Sequence, residues 1–225
     1  MKPLLLAPAL LLAALSGDAS AEGFYLLSGY GLAQIDSGLG NQSASSGSLT
    51  ATVKVDTSGQ GWTLGGGYQI NNVLSFEGGY LNISGLGATA NLTANNAVIN
   101  GNTVNGTMTA NQTVTGNAWY IAPRASYHTG DWDFFVKGGM AFAKVKSRFS
   151  ISGAGTVNGN AISGSYVYSV TDDSTVPMLG LGAQYDLNKH FSLRGEFVWL
   201  DKIGNKDTTG ASAVKLWMLS GAYRF

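Results

Sequence analysis

Three observations on this 225-residue chain predict an all-β fold, an eight-stranded antiparallel up-and-down transmembrane β-barrel. Eight segments alternate with a period of two; the aromatic residues keep to one parity within each; and the other parity carries the glycines and almost every strand charge. Alternation of this kind marks a strand with two unlike faces. A soluble sandwich or barrel packs its aromatics inward and sets its charges outward. Apolar outside and polar inside is the arrangement of strands that face lipid.

The segments justify this in order. The first, about 23–35, sets Phe24, Leu26, Tyr30 and Leu32 against Leu27, Gly29, Gly31 and Ala33. The second, about 61–70, sets Trp62, Leu64, Tyr68 and Ile70 against Thr63, Gly65, Gly67 and Gln69. After a short Asn71-Asn72 turn, Leu74, Phe76 and Tyr80 oppose Ser75, Glu77 and Gly79. The fourth, about 118–128, has Trp119, Ile121, Pro123, Ala125 and Tyr127 on one face and Tyr120, Ala122, Arg124 and Ser126 on the other. Thr129-Gly130 turns the chain into Trp132, Phe134, Val136, Met140 and Phe142, opposite Asp133, Phe135, Lys137, Gly139 and Ala141. The sixth sets Leu179, Leu181, Ala183 and Tyr185 against Gly180, Gly182, Gln184 and Asp186. Following Asn188-Lys189, the seventh sets Phe191, Leu193, Phe197 and Trp199 against Ser192, Arg194, Glu196 and Val198. The eighth, 214–225, places Trp217, Leu219, Tyr223 and Phe225 on one side and ends on an aromatic ring. In nearly every segment the apolar face is aromatic near both ends and aliphatic between, as two membrane interfaces require.

Short turns near Asn71, Gly130 and Asn188 alternate with long loops at about 36–60, 82–117, 147–174 and 201–213. The short turns are expected on the periplasmic side and the long loops outside. The stretch 82–117 carries no charge, and Thr-Val-Asn-Gly occurs at 103–106 and again at 156–159. Asn-Gly between alternating residues is a hairpin signal, so strands are expected to continue above the membrane as ribbons.

Composition narrows the function. Acidic and basic residues balance at 13 each, which argues against a nucleic-acid partner. The absence of cysteine removes thiolate metal sites and thiol nucleophiles. Glycine is abundant, at 32 residues against 4 prolines, as a tightly curved sheet demands. Residues 1–21 read as a secretory signal peptide: Lys2, an apolar run from Leu4 to Leu15, then the small-x-small site Ala19-Ser20-Ala21. The barrel is then expected over 22–225, with no later run near the ~20 apolar residues of a membrane helix.

The patterns of Gly23-Phe24-Tyr25, Gly29-Tyr30-Gly31, 177–186, Ser192-Leu193-Arg194-Gly195-Glu196-Phe197 and Ala222-Tyr223-Arg224-Phe225 resemble the small bacterial outer-membrane barrels of the OmpA/OmpX type. The resemblance spans the mature chain and rests on strand pattern. It implies a porin-like or OmpA-like protein of the bacterial outer membrane, surrounded by outer-membrane lipid. It also implies that the final strand, with Trp217, Tyr223 and Phe225, is an assembly signal for the barrel-assembly machinery. The family's usual glycine five residues before the final aromatic is Ser220 here, and the glycine is Gly221.

The inward charges Glu77, Arg124, Lys137, Arg194 and Glu196 fall at similar heights when counted from the short turns. They read as an ion-pair plug in a narrow, polar, mostly occluded lumen. The resemblance also implies a switchable gate for a narrow ion pathway. Two further readings are surface recognition or adhesion through the long loops and a structural role in outer-membrane integrity; the loop ligand is not legible. No enzyme, metal or cofactor is expected. His190-Phe191-Ser192 resembles the His-x-Ser of lipid A deacylases, but the alternation points Ser192 inward at the lower rim. Asp172-Asp173 reads as a solvated pair, and Gly65-Gly66-Gly67, followed by no helix, is not a phosphate cradle.

Overall fold

A computed structural model describes residues 23–35, 40–205 and 212–225. The expected signal peptide lies outside the described residues. Every described element is a strand: β1 Phe24–Ile35, β2 Gln42–Ser46, β3 Leu49–Asp56, β4 Ser58–Gln69, β5 Leu74–Ile99, β6 Asn102–Thr129, β7 Trp132–Val157, β8 Asn160–Asp186, β9 Phe191–Ile203 and β10 Ser212–Arg224.

Eight strands close a ring in the order β5-β4-β1-β10-β9-β8-β7-β6, with β6 hydrogen-bonded back to β5 and every pair antiparallel. The seam between first and last strands runs without a break from Tyr25 opposite Arg224 to Ile35 opposite Val214. The backbone N–H of Phe225 donates to the Phe24 carbonyl at 3.3 Å, so pairing reaches the last residue. Strands β2 and β3 are not staves of the ring; they form a hairpin attached to the upper part of β5.

The outward face is apolar, as the parity predicts. Leu32, Leu64, Val136, Leu179, Leu181 and Leu219 are exposed between two rows of rings. In the upper row Trp62 contacts Tyr80, Tyr80 contacts Trp119, and Phe197 contacts Trp217, at centroid distances of 5.4, 5.1 and 4.6 Å. In the lower row Phe24 meets Tyr68, Trp132 meets Tyr185, and Phe191, Tyr223 and Phe225 form a chain of edge contacts.

The strands continue above the membrane, as the Asn-Gly signals predict, and two details differ from the sequence reading. Most of the stretches read as loops at 36–60, 82–117 and 147–174 are strand, so β5 to β8 run for 26 to 28 residues each. A tilted strand needs only about 9–11 residues to cross a membrane, so more than half of each lies beyond it. The result is an open six-stranded extension in the order β2-β3-β5-β6-β7-β8. Of the two repeated Asn-Gly pairs, Asn158-Gly159 makes a tip, with both residues at positive φ. Asn105-Gly106 instead lies within β6, and the other tip is Asn100-Gly101, also at positive φ. The residue pair Asn-Gly favours this two-residue hairpin turn wherever the flanking strands can pair.

The extension has two faces. Thr89 donates to Asn111 at 3.0 Å and Thr109 to Asn91 at 2.8 Å across the outward face of β5 and β6. The inward face carries Val53, Ala90, Leu92, Met108, Ala110, Phe149, Ile151, Tyr166 and Tyr168 in register. Phe149 stacks on Tyr168 with centroids 4.7 Å apart. Two bulges in β5, at 83–86 and 94–97, keep the apolar residues on that face. Each adds one residue to β5 relative to β6, and the left-handed backbone needed there is taken by Gly85 and Asn96.

Inside the ring, glycines stand where large inward side chains need room. A Cβ on Gly67 would lie 2.4 Å from the Tyr25 ring, and one on Gly182 would lie 2.6 Å from the Phe135 ring. This complementarity explains much of the glycine content. Gly182→Val is therefore expected to destabilise the folded barrel by about 1–3 kcal/mol, the usual range for overpacking. Gly164→Val, where a Cβ meets nothing within 4 Å, is expected to leave it unchanged. Heat-modifiable gel mobility reads both, and equal melting of the two variants would contradict this account of the glycines.

Candidate functional site

The inward parity of four strands, β5, β6, β7 and β9, brings the five sequence-selected charges together. Glu77 on β5 is fully buried at the centre of the cluster. Its Oε1 accepts from the Tyr25 hydroxyl at 2.6 Å and from Arg194 Nη2 at 2.7 Å. Its Oε2 accepts from Lys137 Nζ at 3.2 Å, and Arg124 Nη1 stands 3.8 Å from Oε1. Lys137 also reaches Glu196 Oε1 at 2.5 Å, and Arg194 Nη1 lies 3.8 Å from Glu196 Oε2. Arg124 pairs with Asp133 as well.

Three cations, Arg124, Lys137 and Arg194, thus face three anions, Glu77, Asp133 and Glu196. A balanced, cross-linked set is the form in which charge survives burial; removing one member strands the others. Asp133 falls on the inward parity of the sequence but is not among the five selected there. Further participants also went unselected. Gln184 accepts from Arg194 Nε at 3.3 Å. Phe135 lies under both guanidinium groups, with Arg124 and Arg194 at 4.3 and 4.6 Å from its centroid. Tyr120 sits beneath the Lys137 ammonium at 5.0 Å. Parity alone places Tyr25, Tyr120 and Phe135 inward, against the trend that aromatics face lipid; only the glycines beside them betray the space they fill.

The expected polar interior holds for the lower half only. Above the ionic layer, Ala33, Leu81, Ile83, Ala141, Val176, Met178, Leu200, Val214 and Leu216 form a continuous buried apolar cluster. Leu200, Val214 and Leu216 have no exposed surface. The reason is geometric: eight strands leave a bore that side chains fill, and the upper inward positions are Ala, Val, Leu and Met.

The remaining sequence candidates are not brought into one site. Trp217 belongs to the upper ring of aromatics, and Tyr223 and Phe225 to the lower. His190 and Ser192 do not meet as a base and nucleophile would. The Ser192 hydroxyl donates to Asp186 at 2.7 Å, while His190 Nδ1 lies 3.0 Å from the Arg224 carbonyl. Asp173 on β8 pairs with Lys144 on β7 at 3.4 Å. Among the described residues, no group of three or more His, Cys, Asp or Glu is placed to hold a metal ion.

No curated protein sequence matches the chain. Among solved structures, Ail, the attachment invasion locus protein of Yersinia pestis, is 14% identical with a TM-score of 0.52, covering 92% of this chain and 100% of Ail. Neisserial surface protein A is 13% identical with a TM-score of 0.48, covering 90% of this chain and 97% of its own. OprG from Pseudomonas aeruginosa is 13% identical with a TM-score of 0.44, covering 92% and 98%. The model of the outer membrane protein β-barrel domain family matches residues 4–225. A closed ring of eight lipid-facing strands and a family match over nearly its whole length together make this chain a member of the outer membrane protein β-barrel domain family.

Proposed function

We propose that this chain is a sealed outer-membrane barrel that works through the sheet it displays above the membrane, as a surface for recognition. The observation carrying this reading is the filled lumen. A pore would have to cross a layer of paired charges and then a dry layer of Leu, Val, Ala and Met side chains. Opening the first by protonation or rearrangement leaves the second in place. The extension, by contrast, is large, rigidly paired and two-faced, and its inward face leaves Leu92, Met108, Ile151, Tyr166 and Tyr168 exposed. Exposed apolar area of this kind on a rigid scaffold is a common feature of interaction sites. Within this reading the charged plug is structural, and the terminal strand serves assembly by the barrel machinery after export.

Planar-bilayer recordings test the seal. Wild type, Lys137→Ala and Arg124→Ala are all expected to show near-zero conductance; stepwise currents in wild type, or their appearance in either variant, would favour a gate. Glu77→Ala strands its buried cations, and the folded barrel should lose about 3–5 kcal/mol of stability, read as a lower temperature for loss of the fast-migrating gel form.

The extension is tested by removing residues 88–112, which joins the cross-strand partners Gly87 and Thr113. The shortened chain should keep its heat-modifiable mobility, while bacteria displaying it lose adherence to one another or to host cells. Adherence equal to that of cells with the full chain, at equal surface levels, would remove the basis for a recognition role.

A further inference from the structure

We propose that the outward face of β6, β7 and β8 just above the upper aromatic row binds the phosphate groups of an anionic lipid headgroup in the surrounding leaflet. This face is separate from the apolar inward face of the extension and is built around one strand. Along β7, Phe142, Lys144, Lys146 and Arg148 alternate with the buried residues Ala143, Val145 and Ser147. The three bases therefore share the outward face with Phe142, directly above it.

Height fixes what this face can meet. Two residues of strand advance roughly 6–7 Å, and a tilt of about 35–45° leaves roughly 5 Å of that along the membrane normal. Lys144, Lys146 and Arg148 then stand roughly 5, 10 and 15 Å above Phe142. Phe142 pairs across the sheet with Trp119, which contacts Tyr80, so the aromatic row marks the top of the hydrocarbon region here. Lys144 stands where hydrocarbon gives way to headgroups, a layer several ångströms thick on each side, and the long Lys146 side chain can reach down into it; Arg148 lies above.

Their neighbours fit a phosphate. Lys146 lies between Thr115 on β6 and Thr171 on β8, and Arg148 between Thr113 and Ser169. Lys144 lies between Asn117 and Asp173, with Asn82 one strand further donating to Asn117 at 2.6 Å. Hydroxyls and cations together offer donors to an oxyanion, and a guanidinium can take two phosphate oxygens at once. Asp173 opposes them, at 3.4 Å from Lys144. Three like charges at successive outward positions repel one another, so the face gains from a bound anion. Further round the rim the described charges are of both signs, Asp201 and Lys202 on β9 and Lys215 on β10.

The full mature chain is reconstituted in phosphatidylcholine vesicles containing a small fraction of a bisphosphorylated acyl glycolipid (lipid A), with its dephosphorylated form as the control. Lipid retained on purification and the midpoint of heat-induced loss of the fast-migrating form are measured. The phosphorylated lipid should be retained and should raise the midpoint; the dephosphorylated one should do neither. The double substitution K144Q/K146Q should weaken retention by about thirty-fold, two surface charges at roughly fivefold each. It should melt like wild type in phosphatidylcholine alone, which shows that the barrel is intact. Asp173→Asn should strengthen retention. Undiminished retention by the double variant, equal retention of the dephosphorylated lipid, or weaker retention by Asp173→Asn would overturn the proposal. So would an equal shift caused by inorganic phosphate in pure phosphatidylcholine, which would assign the face to a free anion.

Discussion

Everything in this structure depends on the seam between β1 and β10. A membrane interior offers no partner to a backbone N–H or carbonyl, so a sheet placed there must have no edges. The continuous pairing from Tyr25 with Arg224 up to Ile35 with Val214 removes them. Closing after eight strands fixes the diameter, and the diameter in turn decides what the inward positions hold. Side chains have to meet across the bore, so each is matched to what it faces: Tyr25 to Gly67, Phe135 to Gly182, Lys137 to Glu77 and Glu196.

Two kinds of filling occupy the same bore, and they differ in what they specify. The ionic layer is directional. Glu77 takes contacts from β1, β6, β7 and β9 at once, so it fixes the relation of four strands around the ring. Buried charges of this sort give little net stability compared with well-packed apolar groups, but are costly to break singly. The apolar layer above is not directional and contributes through excluded water. A chain with only the second filling would occupy the bore as well and register less sharply.

The sequence speaks clearly wherever neighbouring environments differ strongly. In the membrane, lipid on one face and a crowded bore on the other give alternation of large amplitude, so all eight staves and the five charges Glu77, Arg124, Lys137, Arg194 and Glu196 can be read from parity. Above the membrane both faces meet water. Runs such as Ala88-Thr89-Ala90-Asn91-Leu92-Thr93-Ala94 still alternate, but between small apolar and small polar groups, and they look like loop composition. The bulges hide the pattern further by shifting its phase at 83–86 and 94–97. Within the site, Asp133 and Phe135 lie on the legible face, yet their pairing with Arg124 and Arg194 depends on diagonal reach, from β7 to the neighbouring β6 and past β8 to β9, which spacing does not encode. The upper apolar filling is legible in principle, from Val214, Leu216 and Met218 on the inward parity of the last strand, but a rule that makes every lumen polar passes over it.

The single extra residue at Gly85 has a consequence for how such a chain can change over time. Beyond that point β5 is held in phase with β3 and β6 by one inserted position. Losing it would rotate Ala88, Ala90 and Leu92 to the outside and bring Thr89 and Asn91 within, turning that strand inside out relative to its neighbours. Hairpins above the membrane can therefore lengthen or shorten readily in steps that keep the phase, an even number of residues along each strand. Changes by one are admissible only where another bulge restores it. The displayed sheet is free to vary in height and sequence, while its sidedness is inherited from the barrel beneath.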